Sequence, residues 1–207
     1  MQHSSSDLFR EKAADWDTRP RAQQLSQAIG DAIIDAVPLG KNMRVMDFGA
    51  GTGLIAGRIA PRVASIAAVD VSAAMLARLA AKAELEGRVE PVCQDIIERP
   101  LARRFDLIVS AMALHHVADT ALLLQRFAEH LEPGGWIALA DLDEEDGSFH
   151  EAGTEGVFHH GFSRAALGVQ LGAAGFEAVS FRTAHTLSNE DGSAYPLFLV
   201  TARRAAA

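Results

Sequence analysis

Short apolar runs alternate with segments whose apolar residues recur at helical spacing, and the alternation begins at residue 44. Arg44–Phe48, Ser65–Val69, Val89–Cys93 and Phe105–Ser110 read as strands, with Leu54–Ile59 and Ala73–Leu85 as helices between the first three. That rhythm means βαβ units and a parallel sheet. Ser72 is placed to cap the Ala73–Leu85 helix and Gly87 to end it, with Met75, Leu76, Leu79 and Ala83 as its inward stripe. After the fourth strand, Asp119 can cap a helix that puts Leu123, Phe127 and Leu131 on one face. Pro133-Gly134-Gly135 then forces a turn before a fifth strand at Trp136–Ala140. An acidic irregular stretch runs to Gly161, followed by a helix over Ser163–Ala173 that Gly175 terminates. The closing runs, Phe176–Thr183 and Leu197–Ala202, are joined by the polar Asn189-Glu190-Asp191-Gly192 turn and read as an antiparallel hairpin. Ahead of the first strand, Leu8–Trp16 and Leu25–Val37 have helical spacing, and Pro38 and Gly40 stop the second.

No repeat, low-complexity tract or linker divides the 207 residues, so one domain over 1–207 is expected. Nineteen basic against twenty-seven acidic side chains give a net charge of −8 with the basic residues scattered, which argues against a phosphate-tracking surface and hence against nucleic acid. Cys93 is the only cysteine, which excludes an intrachain disulfide and a multi-cysteine zinc site and fits a reducing compartment. The longest apolar stretch, Ala64–Ala83, is interrupted by Asp70, Ser72, Arg78 and Lys82, and the N-terminus is polar. Neither a membrane span nor a signal peptide is expected, and the cytoplasm is the expected location.

The chemistry concentrates in Asp47-Phe48-Gly49-Ala50-Gly51-Thr52-Gly53, between the first strand and its crossover helix, where an open parallel sheet binds ligands. Alternate glycines let backbone approach a ligand and take positive φ without a Cβ clash. Gly51-Thr52-Gly53-Leu54-Ile55-Ala56, with Asp70 nineteen residues after Gly51, also matches the dinucleotide fingerprint. A dinucleotide fold leaves Asp47, Asp95 and the closing hairpin unexplained.

Together with Val69-Asp70-Val71-Ser72, Gln94-Asp95-Ile96, Phe105-Asp106-Leu107-Ile108-Val109-Ser110, Ala113-Leu114-His115-His116-Val117 and Leu131-Glu132-Pro133-Gly134-Gly135, this loop resembles the class I S-adenosylmethionine-dependent methyltransferases, most closely the small-molecule group that includes the ubiquinone and menaquinone methyltransferases. The resemblance covers about Phe9 to Arg203. It implies an α/β fold: a Rossmann-like seven-stranded, mostly parallel sheet with helices on both faces and a C-terminal antiparallel hairpin. It implies S-adenosyl-L-methionine as cofactor and S-adenosyl-L-homocysteine as product. By that resemblance Asp70 accepts the ribose hydroxyls, Asp95 the adenine amino group, and the Ile96 amide addresses a ring nitrogen, while Val71 and Met75 cover the ring faces. Asp47 with the Gly49 and Ser110 carbonyls takes the ammonium end, and Ala50, Gly51 and Gly53 complete the loop. Met75 reads equally as core packing.

Methyl transfer from a sulfonium is an in-line displacement for which alignment and desolvation supply much of the rate. A hydroxyl or thiol acceptor adds a need for a base, and His115 and His116, at the carboxyl edge of the sheet, are the candidates; a cap or a polar niche is their competing role. Residues 141–162 leave the same edge and can roof the acceptor with His150, His159, His160, Phe149, Phe158 and Phe162. This segment lacks compact metal-ligand spacing, and no metal is expected. Phe9, Trp16, Asp17 and Arg19, within residues 1–40, form by resemblance a lid over cofactor and acceptor; permanent packing is the alternative. Ser110-Ala111-Met112-Ala113 stands where amino-methylating enzymes of nucleobases and glutamine carry Asn-Pro-Pro-Tyr or Asp-Pro-Pro-Tyr. A small-molecule methyl acceptor at O, N, S or C is therefore expected, in a monomer or homodimer, with an NAD(P)-dependent oxidoreductase or a non-catalytic cofactor-binding protein as alternatives.

Overall fold

The computed structural model describes residues 9–151, 153–189 and 191–206. Seven strands, β1 (Arg44–Phe48), β2 (Ser65–Asp70), β3 (Val89–Cys93), β4 (Phe105–Ala111), β5 (Leu131–Leu142), β6 (Phe176–Ser188) and β7 (Ala194–Arg204), form one sheet in the order β3-β2-β1-β4-β5-β7-β6. The first five pair in parallel, and β7 runs antiparallel between β5 and β6. The expected doubly covered sheet with its closing hairpin is the observed one. Among the described residues no helix is long and apolar enough to cross a membrane.

Strand alternation divides the core. Val45, Leu107, Val109, Ala138 and Ala140 face a cluster built with Ile29 and Ile33 of α1 (Pro20–Ala36), Ile55 and Ile59 of α2 (Leu54–Ile59), and Leu76 and Leu79 of α3 (Ala73–Ala80). Met46, Ile108, Ile137 and Leu139 face the opposite cluster, with Leu123 and Phe127 of α4 (Thr120–Glu129) and Leu167 and Leu171 of α5 (Arg164–Ala173). Burial on both faces is why the central strands read as continuous apolar runs. Caps fix the helix starts: Ser72 Oγ accepts from Met75 N at 3.3 Å and Asp119 Oδ1 from Leu122 N at 2.8 Å, each contributing about 1 kcal/mol.

Several boundaries depart from the sequence reading. In place of an N-terminal helix, two 3-10 turns, Lys12–Ala14 and Trp16–Thr18, lead into α1, which starts at Pro20 rather than Leu25 because proline at the first helical position presets φ. Leu8, Glu190 and Ala207 lie outside the described residues. Helix α3 stops at Ala80, and a 3-10 turn, Ala83–Leu85, exposes Ala83 and buries Leu85 in its stead. Pro133-Gly134-Gly135 does not precede β5 but lies within it, absorbed by a register shift opposite Phe105/Leu107, with Arg203 donating to the Gly134 carbonyl. The hairpin is longer at its tip, since β6 is an edge strand whose last residues carry polar side chains toward solvent.

Candidate active site

Neighbouring strands β2-β1-β4 put the reversal of strand order beside β1, and at its carboxyl end a cavity of about 1660 Å³ opens. Pockets for one small ligand occupy roughly 300–1,000 Å³, so this one has room for two partners together. Its floor is the loop after β1. Gly49 and Ala50 donate their N–H groups to the Val69 carbonyl at 2.9 and 3.1 Å, Gly53 donates to Ala50 at 2.9 Å, and Gly51 donates to Asp70 Oδ2 at 2.7 Å. These four loop amides are thus engaged within the protein. At Gly51 (φ +55°) a Cβ would meet no heavy atom within 4 Å, so its face is open to the cavity, whereas a Cβ on Gly49 (φ +67°) would lie 2.4 Å from the Ala113 Cβ. Gly53 is the N-cap of α2, packed against Leu79, and does not line the cavity.

Three acids converge on the crevice from adjacent strand ends. Asp47 is 1% exposed, and its Oδ2 has no hydrogen-bond partner among the described residues. Burial, and then the charge of Asp70, push its carboxyl up to about 8. Asp70 accepts from Gly51 N and, at 2.8 Å, from Ser72 N; burial raises its pKa while these donors pull it back. Two accepted bonds leave a carboxylate further lone pairs for a ligand. Asp95 is exposed and holds a turn by accepting from Ile97 N at 2.8 Å. Val71 and Met75 line the same end of the cavity.

At the other end stand imidazoles. Asp141, fully buried at the end of β5, accepts from Leu114 N at 3.0 Å, Leu142 N at 2.8 Å and His115 N at 3.3 Å, and its Oδ1 lies 2.7 Å from His115 Nδ1. The carboxylate partner assigns the proton to Nδ1 and leaves the lone pair on Nε2 of His115, a buried residue that lines the cavity. The His116 ring is 4.1 Å from that of His115, and its Nδ1–H donates to the Gly156 carbonyl at 2.7 Å. Burial and the His115 charge lower the His116 pKa to about 4, so it is neutral near pH 7. His150, whose pKa is also lowered by burial, sits 5.2 Å from the His115 ring, with its Nε2 buried and unpartnered among the described residues. Glu145 Oε2 places it by accepting from Gly147 N and Phe149 N, and Phe158 N donates to the His115 carbonyl at 2.9 Å, which pins the roof over the pair. Phe9 packs edge-on against His116 and Phe149 against His150 at this end.

Residues 21–181 match the methyltransferase domain family. The chain belongs to that family. An uncharacterized methyltransferase of Mycobacterium bovis is 39% identical over 111 residues, 53% of this chain and 55% of its own length. A ubiquinone biosynthesis O-methyltransferase of Nitrobacter winogradskyi is 34% identical over 110 residues, 52% of this chain and 41% of its own. The chain spans about half the length of the curated relatives it matches. Among solved structures, the N-methyltransferase NodS of Bradyrhizobium japonicum, in complex with S-adenosyl-L-homocysteine, superposes with a TM-score of 0.73 at 17% identity, covering 98% of this chain and 99% of that one, which shows a shared fold.

The cavity gathers Trp16, Asp47, Gly49, Ala50, Gly51, Asp70, Val71, Met75, Asp95, His115, His116 and His150. Six of the expected residues do not line it: Phe162 is buried in the core against Phe198, and five others sit elsewhere. Ile96 is fully buried on the opposite face of the sheet, and Ile97 lines the cavity instead. Ser110 is fully buried within β4 beside Phe48, its hydroxyl lacking a partner among the described residues. Gly53 turns inward as described. His159 points away to Val117 and Thr120, with Nε2 2.9 Å from the Val117 carbonyl and 3.1 Å from Thr120 Oγ1, while His160 is an outward, exposed side chain 3.6 Å from Glu145. Asp141 escaped the sequence reading as a functional residue; an acid closing an apolar strand at the ligand edge was its available signal. Thr52, whose hydroxyl donates to Asp17, also went unread. Among the described residues no cluster of three or more His, Cys, Asp or Glu could hold a metal ion.

Proposed function

We propose that the crevice binds S-adenosylmethionine and that the chain transfers its methyl group to a small-molecule acceptor held between the N-terminal segment and residues 141–162. The observation that carries this reading is the buried, unpartnered Asp47 Oδ2 beside the open face of Gly51. A buried carboxyl oxygen without a partner is costly unless a cation completes it, and the cofactor's ammonium is such a cation. A dinucleotide would instead set a pyrophosphate on the loop, where the Gly49, Ala50, Gly51 and Gly53 amides are already engaged. Asp70 suits the ribose diol, Asp95 the adenine amino group, and Val71 and Met75 the ring faces.

Bound there, the cofactor supplies an electrophilic methyl group on a sulfonium. The chain's own residues align and desolvate: the Gly51 face admits the ligand, the half-buried Trp16 and Phe149 cover the cavity, and His115, His116 and His150 line it. Calorimetry with S-adenosylhomocysteine, NAD and NADP in parallel tests the reading. Binding of the first alone supports it; protection by a dinucleotide instead overturns it. Mass spectrometry across an acceptor panel then separates turnover from cofactor binding without chemistry.

A further inference from the structure

We propose that a recess of about 370 Å³ at the amino edge of the sheet, opposite the cofactor crevice, is a second ligand site that takes a small phosphorylated molecule. Four arginines line it: Arg44 at the start of β1, Arg88 just before β3, and Arg103 and Arg104 just before β4. Glu90 is the one acid on its wall. A chain of net charge −8 thus sets four guanidinium groups against one carboxylate around a single concavity. These residues are far apart along the chain, and the sheet gathers them because β1 to β4 run in parallel and all start at this edge.

The arginines divide by role. Arg44 is held by two acids, with Nε 3.3 Å from Asp106 Oδ2 and Nη2 2.9 Å from Glu132 Oε1, and Arg103 is held by Glu90, with Nη1 2.7 Å from Oε2. Each keeps further N–H groups to donate, and the pairs orient the planar forks. The exposed Arg88 and Arg104 form no ion pair among the described residues, so their charges remain for an incoming anion. Ser65, exposed at the start of β2, adds a hydroxyl. At Gly87 (φ +73°) a Cβ would meet no heavy atom within 4 Å, so backbone on this wall is open to close approach.

Charge and volume together select the ligand. A phosphoryl group brings about two negative charges and three acceptor oxygens, which guanidinium forks bind in bidentate fashion. Small-ligand pockets occupy roughly 300–1,000 Å³, and this recess stands at the low end of that range. A nucleic acid would need the positive charge to continue as a track and aromatic rings on which to stack its bases. Here Glu90, Asp106 and Glu132 interrupt the arginines, and the exposed large apolar side chains among the described residues, Phe158 and Val169, lie on the roof of the cofactor crevice and on α5. Arg44 and Asp47 stand toward opposite ends of β1, so a ligand in the recess does not compete with one in the crevice.

Calorimetry of the full chain at low salt, with inorganic pyrophosphate as the probe, tests the site. Wild-type protein is expected to bind it saturably and one to one, and the double variant Arg88→Ser, Arg104→Ser to bind it roughly tenfold or more weakly. Gly87→Asp places a carboxylate in the recess and Gly87→Asn a neutral group of the same size; both residues tolerate left-handed backbone, and the space beside Gly87 is open. Gly87→Asp should abolish pyrophosphate binding and Gly87→Asn largely keep it. If the double variant fails to fold, as judged by circular dichroism, the Gly87 pair carries the test alone. Absence of saturable binding in wild type, binding that survives loss of the two arginines, or the same affinity in Gly87→Asp and Gly87→Asn overturns the inference. So does a single-stranded oligonucleotide that binds more tightly than pyrophosphate and is lost in the double variant, since that marks a nucleic-acid surface. S-adenosylhomocysteine affinity, measured in parallel, should be the same in wild type and all three variants; its absence from wild type would strike the methyltransferase reading and leave this site standing.

Discussion

The Gly51 N–H donates to Asp70 Oδ2 at 2.7 Å, so the loop after β1 is tied to the end of β2 by a carboxylate that also accepts from Ser72. The side chain that would meet the ribose therefore shapes the loop that admits the ligand. Asp70→Ala should cost cofactor binding roughly 2 kcal/mol, or about 30-fold in affinity, since it leaves the diol without its charged acceptor and frees the loop amide. Calorimetry with S-adenosylhomocysteine checks this, and an unchanged affinity counts against the assignment.

Two glycines of the same loop should separate binding from folding. Gly51 faces open space, so Gly51→Val is expected to keep the fold apart from about 1–2 kcal/mol of left-handed backbone strain, and to abolish ligand binding by filling the crevice. At Gly49 a Cβ would collide with Ala113, so Gly49→Ala should lower the melting temperature more than Gly51→Ala does. Retained binding in Gly51→Val would refute close approach of a ligand to that backbone.

The Asp47 carboxyl, pushed up to about 8, links both stability and binding to pH. Folded protein holds this proton more tightly than unfolded chain, so the stabilising contribution is full below the ordinary carboxylate range near 4 and is lost as pH rises through about 8. Binding an ammonium requires the ionised form, so cofactor affinity should climb with pH toward 8, each binding event expelling a proton. Calorimetry in buffers of different ionisation enthalpy measures that proton. Asp47→Asn should bind weakly, release none, and flatten the pH dependence of the melting temperature over this window.

What could be read in advance followed from how each residue is used. β1 and α2 have the boundaries expected of them because strands buried on both faces leave unbroken apolar runs and the glycine loop punctuates them. β6 was legible only in part: it is an edge strand, and in its last five residues the polar His185, Thr186 and Ser188 interrupt the apolar Ala184 and Leu187 that pack on the core. The histidines were legible as a group but not individually. His150 and His159 are both aromatic-flanked imidazoles in one loop, yet only folding turns the first toward His115 and the second toward Thr120. Asp141 stayed hidden because its role depends on a partner 26 residues away that no local spacing reveals.

Asp17 offers a test of the N-terminal segment as a cover. Its carboxylate accepts from the Thr52 hydroxyl and pairs with Lys82 Nζ at 2.7 Å, while Arg78 donates to the Ala14 carbonyl at 2.9 Å, so residues 14–17 are strapped across the glycine loop and the end of α3. Ion pairs that remain partly exposed contribute about 0–1 kcal/mol, so Asp17→Ala should barely move the melting temperature. The same contact holds Trp16 over the cavity, and releasing it opens the route to solvent. S-adenosylhomocysteine should therefore dissociate several-fold faster, with amide exchange rising in residues 12–18. A wild-type dissociation rate in Asp17→Ala would mean that the segment is packed permanently and that the ligand enters elsewhere.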